Sequence, residues 1–172
     1  MIQANKEVLP IRFDPLPMAK HRRELTGLVA VKAMTRLQDT IVSMEPMVAV
    51  SLQFSRGLQG FPAVSGRLKH TLGLRCERCL DEVSISIDRP LEVLLKPESE
   101  PLPEDTERYS LFEYDGKILE LAELIEDELL LALPLVPKHK DISLCNQDMV
   151  AWLASNEVSA ENAENPFAIL KR

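Results

Sequence analysis

Cys76-Glu77-Arg78-Cys79 sets two thiols two residues apart. Thiolates at that spacing can grip one tetrahedral Zn2+ from a tight turn, and the ion then needs two more soft donors. His139 and Cys145 offer them within one short segment, so Cys76, Cys79, His139 and Cys145 make up the candidate metal set. Two other readings stay open. A redox dithiol ordinarily opens a helix in a βαβ unit, whereas this pair joins two strand-like runs. A reduced pair that binds nothing is the first expectation for so incomplete a motif, because the two pairs lie far apart and no glycine follows either cysteine to relax the turn. No cofactor is therefore demanded, and Zn2+ is the one candidate.

Other catalytic chemistry finds no foothold. Glycines 27, 57, 60, 66, 73 and 116 are scattered, so there is no phosphate-cradling loop, and no Gly-x-Ser-x-Gly elbow is present. His21, His70 and His139 are far apart. His70 falls on the inward row of a strand, where a hydrogen-bonded core histidine is expected. The chain is read as not an enzyme.

Three runs must position the cysteine pair. Val48, Val50, Leu52 and Phe54 alternate with small or polar residues. After a Gly-Leu-Gln-Gly turn, Val64, Gly66, Leu68, His70, Leu72 and Leu74 do the same, as do Val83, Ile85, Ile87, Leu91, Val93 and Leu95. Period-two alternation over three runs predicts an antiparallel meander with one solvated face. The exposed row of the second run is basic and that of the third acidic, so cross-strand ion pairs such as Arg67 with Asp88 follow. Earlier, residues 8–13 and 25–31 read as short strands, 18–23 as one helical turn and 32–41 as a short helix. Residues 96–107 carry three prolines among acids and read as an extended linker. Ile118, Leu121, Ala122, Ile125, Leu129 and Ala132 share a face of a helix over 118–133, which Pro134 ends. A second helix covers 147–154, and 156–164 is too polar to bury.

The 172 residues carry a net charge of −7 that hides an asymmetry. Residues 1–80 hold 12 Lys and Arg against 6 Asp and Glu, whereas 81–172 hold 8 against 21. A chain so polarised either shows one basic and one acidic surface or folds the two against each other. The helix carries Glu120, Glu123, Glu126, Asp127 and Glu128 with no cation among them. Five unbalanced carboxylates suit a basic protein partner, with Glu120, Glu123 and Asp127 on a solvent-facing stripe. Arg67, Lys69 and Arg75 are the RNA-binding candidates, joined by a cluster at Lys20, Arg22 and Arg23. Aromatic residues are only 5% of the chain, which removes base stacking on the sheet. Phe167, Ile169 and Leu170 form an apolar ending expected to dock on a partner or on the domain. Three cysteines are too few for a disulfide scaffold, no apolar run spans a membrane, and no secretory leader is visible, so the cytoplasm is the expected compartment.

The Leu-Arg-Cys-Glu-Arg-Cys-Leu stretch at 74–80 resembles the Cys-x-Arg-Cys signature of the YceD family. The run 126–137, Glu-Asp-Glu-Leu-Leu-Leu-Ala-Leu-Pro-Leu-Val-Pro, is similar to that family's acidic helix and its Leu-Pro-x-x-Pro exit. His139 and Cys145 follow as in many bacterial members, and Asn-Pro-Phe-Ala-Ile-Leu at 165–170 resembles the family's ending. The resemblance spans nearly the whole chain. It implies ribosome biogenesis, through accumulation of large-subunit ribosomal RNA, and no established catalytic residue. It also implies a gene neighbourhood shared with a small basic protein of the large subunit. Some Gram-positive relatives carry a second cysteine pair where this chain has His139 and Cys145.

The expectation is thus an α+β fold: an antiparallel meander or partial barrel with a docked acidic helix and a flexible C-terminal tail. Residues 1–155 form one domain, β-rich over 1–95, linked by 96–107 to a helical part over 118–155; 156–172 are the tail. The partner is a ribosomal protein or the pre-ribosomal large subunit, with rRNA contact as the competing mechanism and neither membrane nor small-molecule substrate. The unrelated alternative is a zinc-binding or redox protein built on Cys76 and Cys79.

Overall fold

The computed structural model describes residues 7–103, 106–107 and 109–156. In chain order these form β1 (Arg12–Phe13), α1 (Pro15–Lys20), β2 (Glu24–Ala30), a 3-10 turn at Val31–Ala33, α2 (Thr35–Gln38), β3 (Ser43–Met44) and β4 (Met47–Arg56). Next come β5 (Pro62–Arg75), β6 (Glu82–Pro97), β7 (Ser110–Tyr114), β8 (Leu119–Glu120), α3 (Leu121–Ala132), a 3-10 turn at Ile142–Leu144 and α4 (Gln147–Ser155). They divide into two compact units. One is Met1–Leu74 with Ser84–Leu135, the other Arg75–Val83 with the chain from Val136 onward.

The first unit is the α+β body. Its main sheet runs β2-β4-β5-β6-β7, with β3 also on β5, and β1 pairs with β8 in a separate ribbon. The alternation read from the sequence is real: Val48, Val50, Leu52 and Phe54 are each at most 2% exposed, while Ala49, Ser51 and Gln53 are not buried. Leu52 sits opposite Gly66, and a Cβ at Gly66 would come 2.1 Å from the Ser51 carbonyl. Glycine there lets β4 and β5 approach closely. On α3, Leu121, Leu124, Ile125 and Leu129 are buried, each stabilising the unit by about 1.5–3 kcal/mol through lost apolar surface. Leu133 leaves the helix at φ −66°, ψ 138°, the extended geometry that a following proline imposes.

Several elements differ from the sequence reading. The expected strand at 8–13 shrinks to β1 and an isolated Val8–Leu28 bridge, because Pro10 has no N–H to give a ladder. β6 runs on through Pro97 into the acidic segment, and Lys96 is buried there against Glu113 at 2.9 Å. β7 was not foreseen. It pairs with β6 in parallel, Val93 opposite Ser110 through Pro97 opposite Tyr114, so the sheet is mixed and not purely antiparallel. A parallel return needs a crossover of about a dozen residues, and the proline-rich segment between β6 and β7 has that length. The expected flexible tail lies outside the described residues beyond Asn156.

Candidate functional site

All four candidate ligands belong to the second unit. Cys76 and Cys79 sit on a tight knuckle, closed by Cys76 N–H to the Asp81 carbonyl at 2.8 Å and Leu80 N–H to the Cys76 carbonyl at 2.8 Å. The left-handed step that a glycine would ordinarily take is made by Leu80, at φ 65°. Glu77 N–H donates to the Pro137 carbonyl at 2.8 Å and brings the 137–145 segment alongside. There Asp141 accepts from Ser143 N–H and starts the 3-10 turn that presents Cys145. The Gln147 side chain donates to the Cys145 carbonyl at 2.7 Å, and Asn146 caps α4.

The donor atoms of Cys76, Cys79, His139 and Cys145 all lie within 4.8 Å of one another. Cys79 Sγ and Cys145 Sγ are each 3.6 Å from His139 Nδ1. A tetrahedral zinc with ordinary Zn–N and Zn–S bonds puts such atoms about 3.5–3.6 Å apart. All three cysteines are buried and none is in a disulfide. Burial opposes the Cys76 thiolate, yet backbone groups of Arg78, His139 and Cys79 and the His139 ring outweigh it, and its thiol falls to about 6. Burial and the neighbouring Cys79 push the Cys145 thiol up. Arg78 donates to Cys145 Sγ at 3.7 Å, a cation beside what would be a net negative thiolate–metal shell. The bare pair expected first is thus not isolated: four donors form a cluster that could hold a metal. Four protein donors leave no open position, which is the pattern of a structural centre and not of a catalytic one.

The acidic helix is answered from distant parts of the chain. Glu120 pairs with Arg12 at 2.7 Å, and Asp127 with Arg36 at 2.6 Å. Glu126 is 3% exposed and accepts from Arg36 Nε and Nη2 and from Leu37 N–H. Glu128 is also buried, 3.5 Å from Arg89. Burial raises its pKa and Arg89 works against that rise. Of the expected stripe, Glu123 is exposed, whereas Glu120, just ahead of α3, and Asp127 are half-buried.

The basic candidates are also partly answered. Arg67 and Lys69 both pair with Asp88, and Arg67 holds that carboxyl below its usual range. Arg75 is exposed and belongs to the second unit. The cluster near the N-terminus is different. Lys20 and Arg22 line a surface groove of about 470 Å³ together with Arg56, and among the described residues no carboxylate lines it. Arg56 was missed because it closes β4 far along the chain from the other two. Phe167, Ile169 and Leu170 lie outside the described residues.

His70 is a correction. It is buried as expected, yet among the described residues neither ring nitrogen has a partner in hydrogen-bond geometry. Burial lowers its pKa, and the Glu45 charge and the Met47 backbone only partly oppose this. The folded state therefore refuses a proton that the unfolded chain accepts near pH 6.5, so stability falls as pH drops through that value. His70→Leu should remove this acid sensitivity and, by deleting unsatisfied polar atoms, stabilise the fold by about 1 kcal/mol at neutral pH. Urea midpoints at pH 7.5 and 5.5 measure it; equal pH slopes in both proteins would refute the assignment.

A family model described as "Large ribosomal RNA subunit accumulation protein YceD" matches residues 64–172. The large ribosomal RNA subunit accumulation protein YceD of Haemophilus influenzae is 30% identical over 172 residues, covering 96% of this chain and 95% of that one. No solved structure matches. No helix among the described residues is long and apolar enough to cross a membrane.

Proposed function

Because the chain belongs to the YceD family, we propose that it supports accumulation of large-subunit ribosomal RNA as a non-catalytic, cytoplasmic assembly factor that holds a basic ribosomal protein. The observation that carries the partner is α3. It keeps Glu123 in water, with Glu120 and Asp127 half-exposed beside it, on a helix with no basic residue of its own. Such a face attracts cationic protein and repels phosphate. In the same reading the Cys76, Cys79, His139 and Cys145 cluster holds a structural Zn2+. Bound there, the ion would cross-link the 76–79 knuckle to the 139–145 segment.

A second mechanism, direct contact with rRNA, draws support from Lys20, Arg22 and Arg56. These cations carry no ion pair among the described residues, whereas Arg67 and Lys69 share Asp88.

Crosslinking of the tagged chain in cells, resolved into RNA and protein, separates the two. Reversing Glu120, Glu123 and Asp127 to Lys should cut capture of basic protein at least tenfold and lower large-subunit rRNA. Because Glu120 and Asp127 also hold Arg12 and Arg36, the single Glu123→Lys variant must show the same direction with no loss of fold. Capture should weaken with salt, as the Debye length is about 10 Å at 0.1 M. Reversing Lys20, Arg22 and Arg56 to Glu should lower RNA crosslinks alone. Unchanged protein capture and unchanged rRNA in the acidic reversals would sink the primary reading.

A further inference from the structure

β7 ends the main sheet, and among the described residues no strand pairs with its outer edge. The Tyr114 carbonyl accepts from Glu98 N–H at 2.9 Å, so Tyr114 faces the β6 side. Backbone groups alternate sides along a strand, so Leu111 and Glu113 direct their N–H and C=O outward. Edges are ordinarily guarded by proline, lysine, a bulge or a cover. Residues 110–114, Ser-Leu-Phe-Glu-Tyr, contain neither proline nor lysine, and Leu111 is 41% exposed.

Beside this edge runs a trough whose other wall is α3. One section, about 290 Å³, is apolar, with Leu111, Leu124, Leu130 and Leu131 in its lining. The other, about 470 Å³, has Glu113, Glu123 and Asp127 in its lining. Leu111, Phe112 and Asp127 belong to both, so the two sections adjoin.

We propose that the outer edge of β7 is a strand-addition site that takes an extended segment of a basic protein carrying both apolar and cationic side chains. The apolar residues enter the leucine section, the cations meet the acidic section, and the segment's backbone pairs with Leu111 and Glu113. Charge selects this occupant. Glu113, Glu123, Glu126, Asp127 and Glu128 line the trough, and among the described residues Arg36, Lys96 and Arg89 are the cations that pair with them, which leaves two of these negative charges uncompensated there. A nucleic acid strand would be repelled. The inference deepens the proposed function and rests on its basic-protein partner. It adds where and how that partner is gripped: by main-chain pairing along five residues, and not by charge alone.

The probe is a fluorescent heptapeptide, Lys-Val-Lys-Val-Lys-Val-Lys, titrated with the full-length protein and followed by anisotropy. An Asp-Val counterpart and a decameric oligouridylate serve as comparisons. The Lys-Val peptide should bind at least tenfold more tightly than the Asp-Val peptide, and amide exchange at Leu111 and Glu113 should slow on binding. Leu111→Pro removes an outward N–H and leaves the β6 ladder intact; Glu123→Lys changes an exposed charge. Each should weaken the peptide at least fivefold with an unchanged thermal midpoint, and Glu123→Lys alone carries the test if the proline variant misfolds. No peptide binding, binding that leaves those amides unprotected, or displacement by oligouridylate would overturn the inference. If the peptide fails while the crosslinked basic protein is still lost in the acidic reversals, the edge is excluded and the proposed function stands.

Discussion

Treatment of the full-length protein with a strong zinc chelator is expected to remove about one zinc per chain and to open the second unit. The apparent binding energy of structural zinc in small modules is about 10–16 kcal/mol at neutral pH, enough to hold a segment that has little core of its own. The 136–145 stretch is such a segment. Val136, Ile142 and Leu144 are all more than half exposed, so apolar burial contributes little there, and its buried point is Cys145, beside Cys76, Cys79 and a half-buried His139. After chelation, limited proteolysis should cut within 136–145 and at the 76–79 knuckle. The alternating strands of the first unit should resist, since their core is apolar and needs no ion. Cys79→Ser and His139→Ala should each reproduce the cutting pattern and lower the zinc content measured by elemental analysis. Protein that emerges metal-free from purification in zinc-replete medium, and still resists cutting at 136–145, would rule the zinc reading out.

Glu126→Ala is expected to destabilise the first unit by about 2–3 kcal/mol. One carboxylate oxygen accepts from Arg36 Nε at 3.1 Å and Nη2 at 2.9 Å, and the other accepts from the backbone N–H of Leu37 at 2.9 Å. Truncation leaves that amide unpartnered beside a Leu37 that is fully buried. The Arg36 side chain is 55% exposed and can turn to water, which keeps the loss below that of a fully buried pair. Glu126→Gln retains an acceptor for Leu37 and should lose only about 1 kcal/mol. Urea unfolding at constant m-value reads both; a loss below about 1 kcal/mol for the alanine variant would mean that the 31–38 turn does not depend on this carboxylate.

What was legible in the chain was local. Inward rows on β4, β5 and β6 leave a period-two trace because burial selects every second residue, and α3 leaves its own helical period for the same reason. Pro134 announces the helix exit because its ring excludes helical geometry before it. The Cys76–Cys79 pair could be read as a metal half-site because its spacing lies within a single turn.

What was not legible depends on residues with no local relation to each other. The partner of Glu126 is 90 residues away in sequence, and that of Cys79, His139, is 60 away. A helix without cations of its own therefore says nothing of Arg12, Arg36 and Arg89, which the tertiary fold delivers to it. The short run Ser-Leu-Phe-Glu-Tyr could not show that it pairs in parallel with β6, since strand direction is set by the crossover and not by side-chain pattern. His70 shows the converse: its inward row was read correctly, but whether a buried polar group finds a partner is decided by neighbours that only folding brings near. Periodicity records which side of an element is dry; it does not record what lies across from it, and ion pairs, ligand clusters and free sheet edges are all relations across.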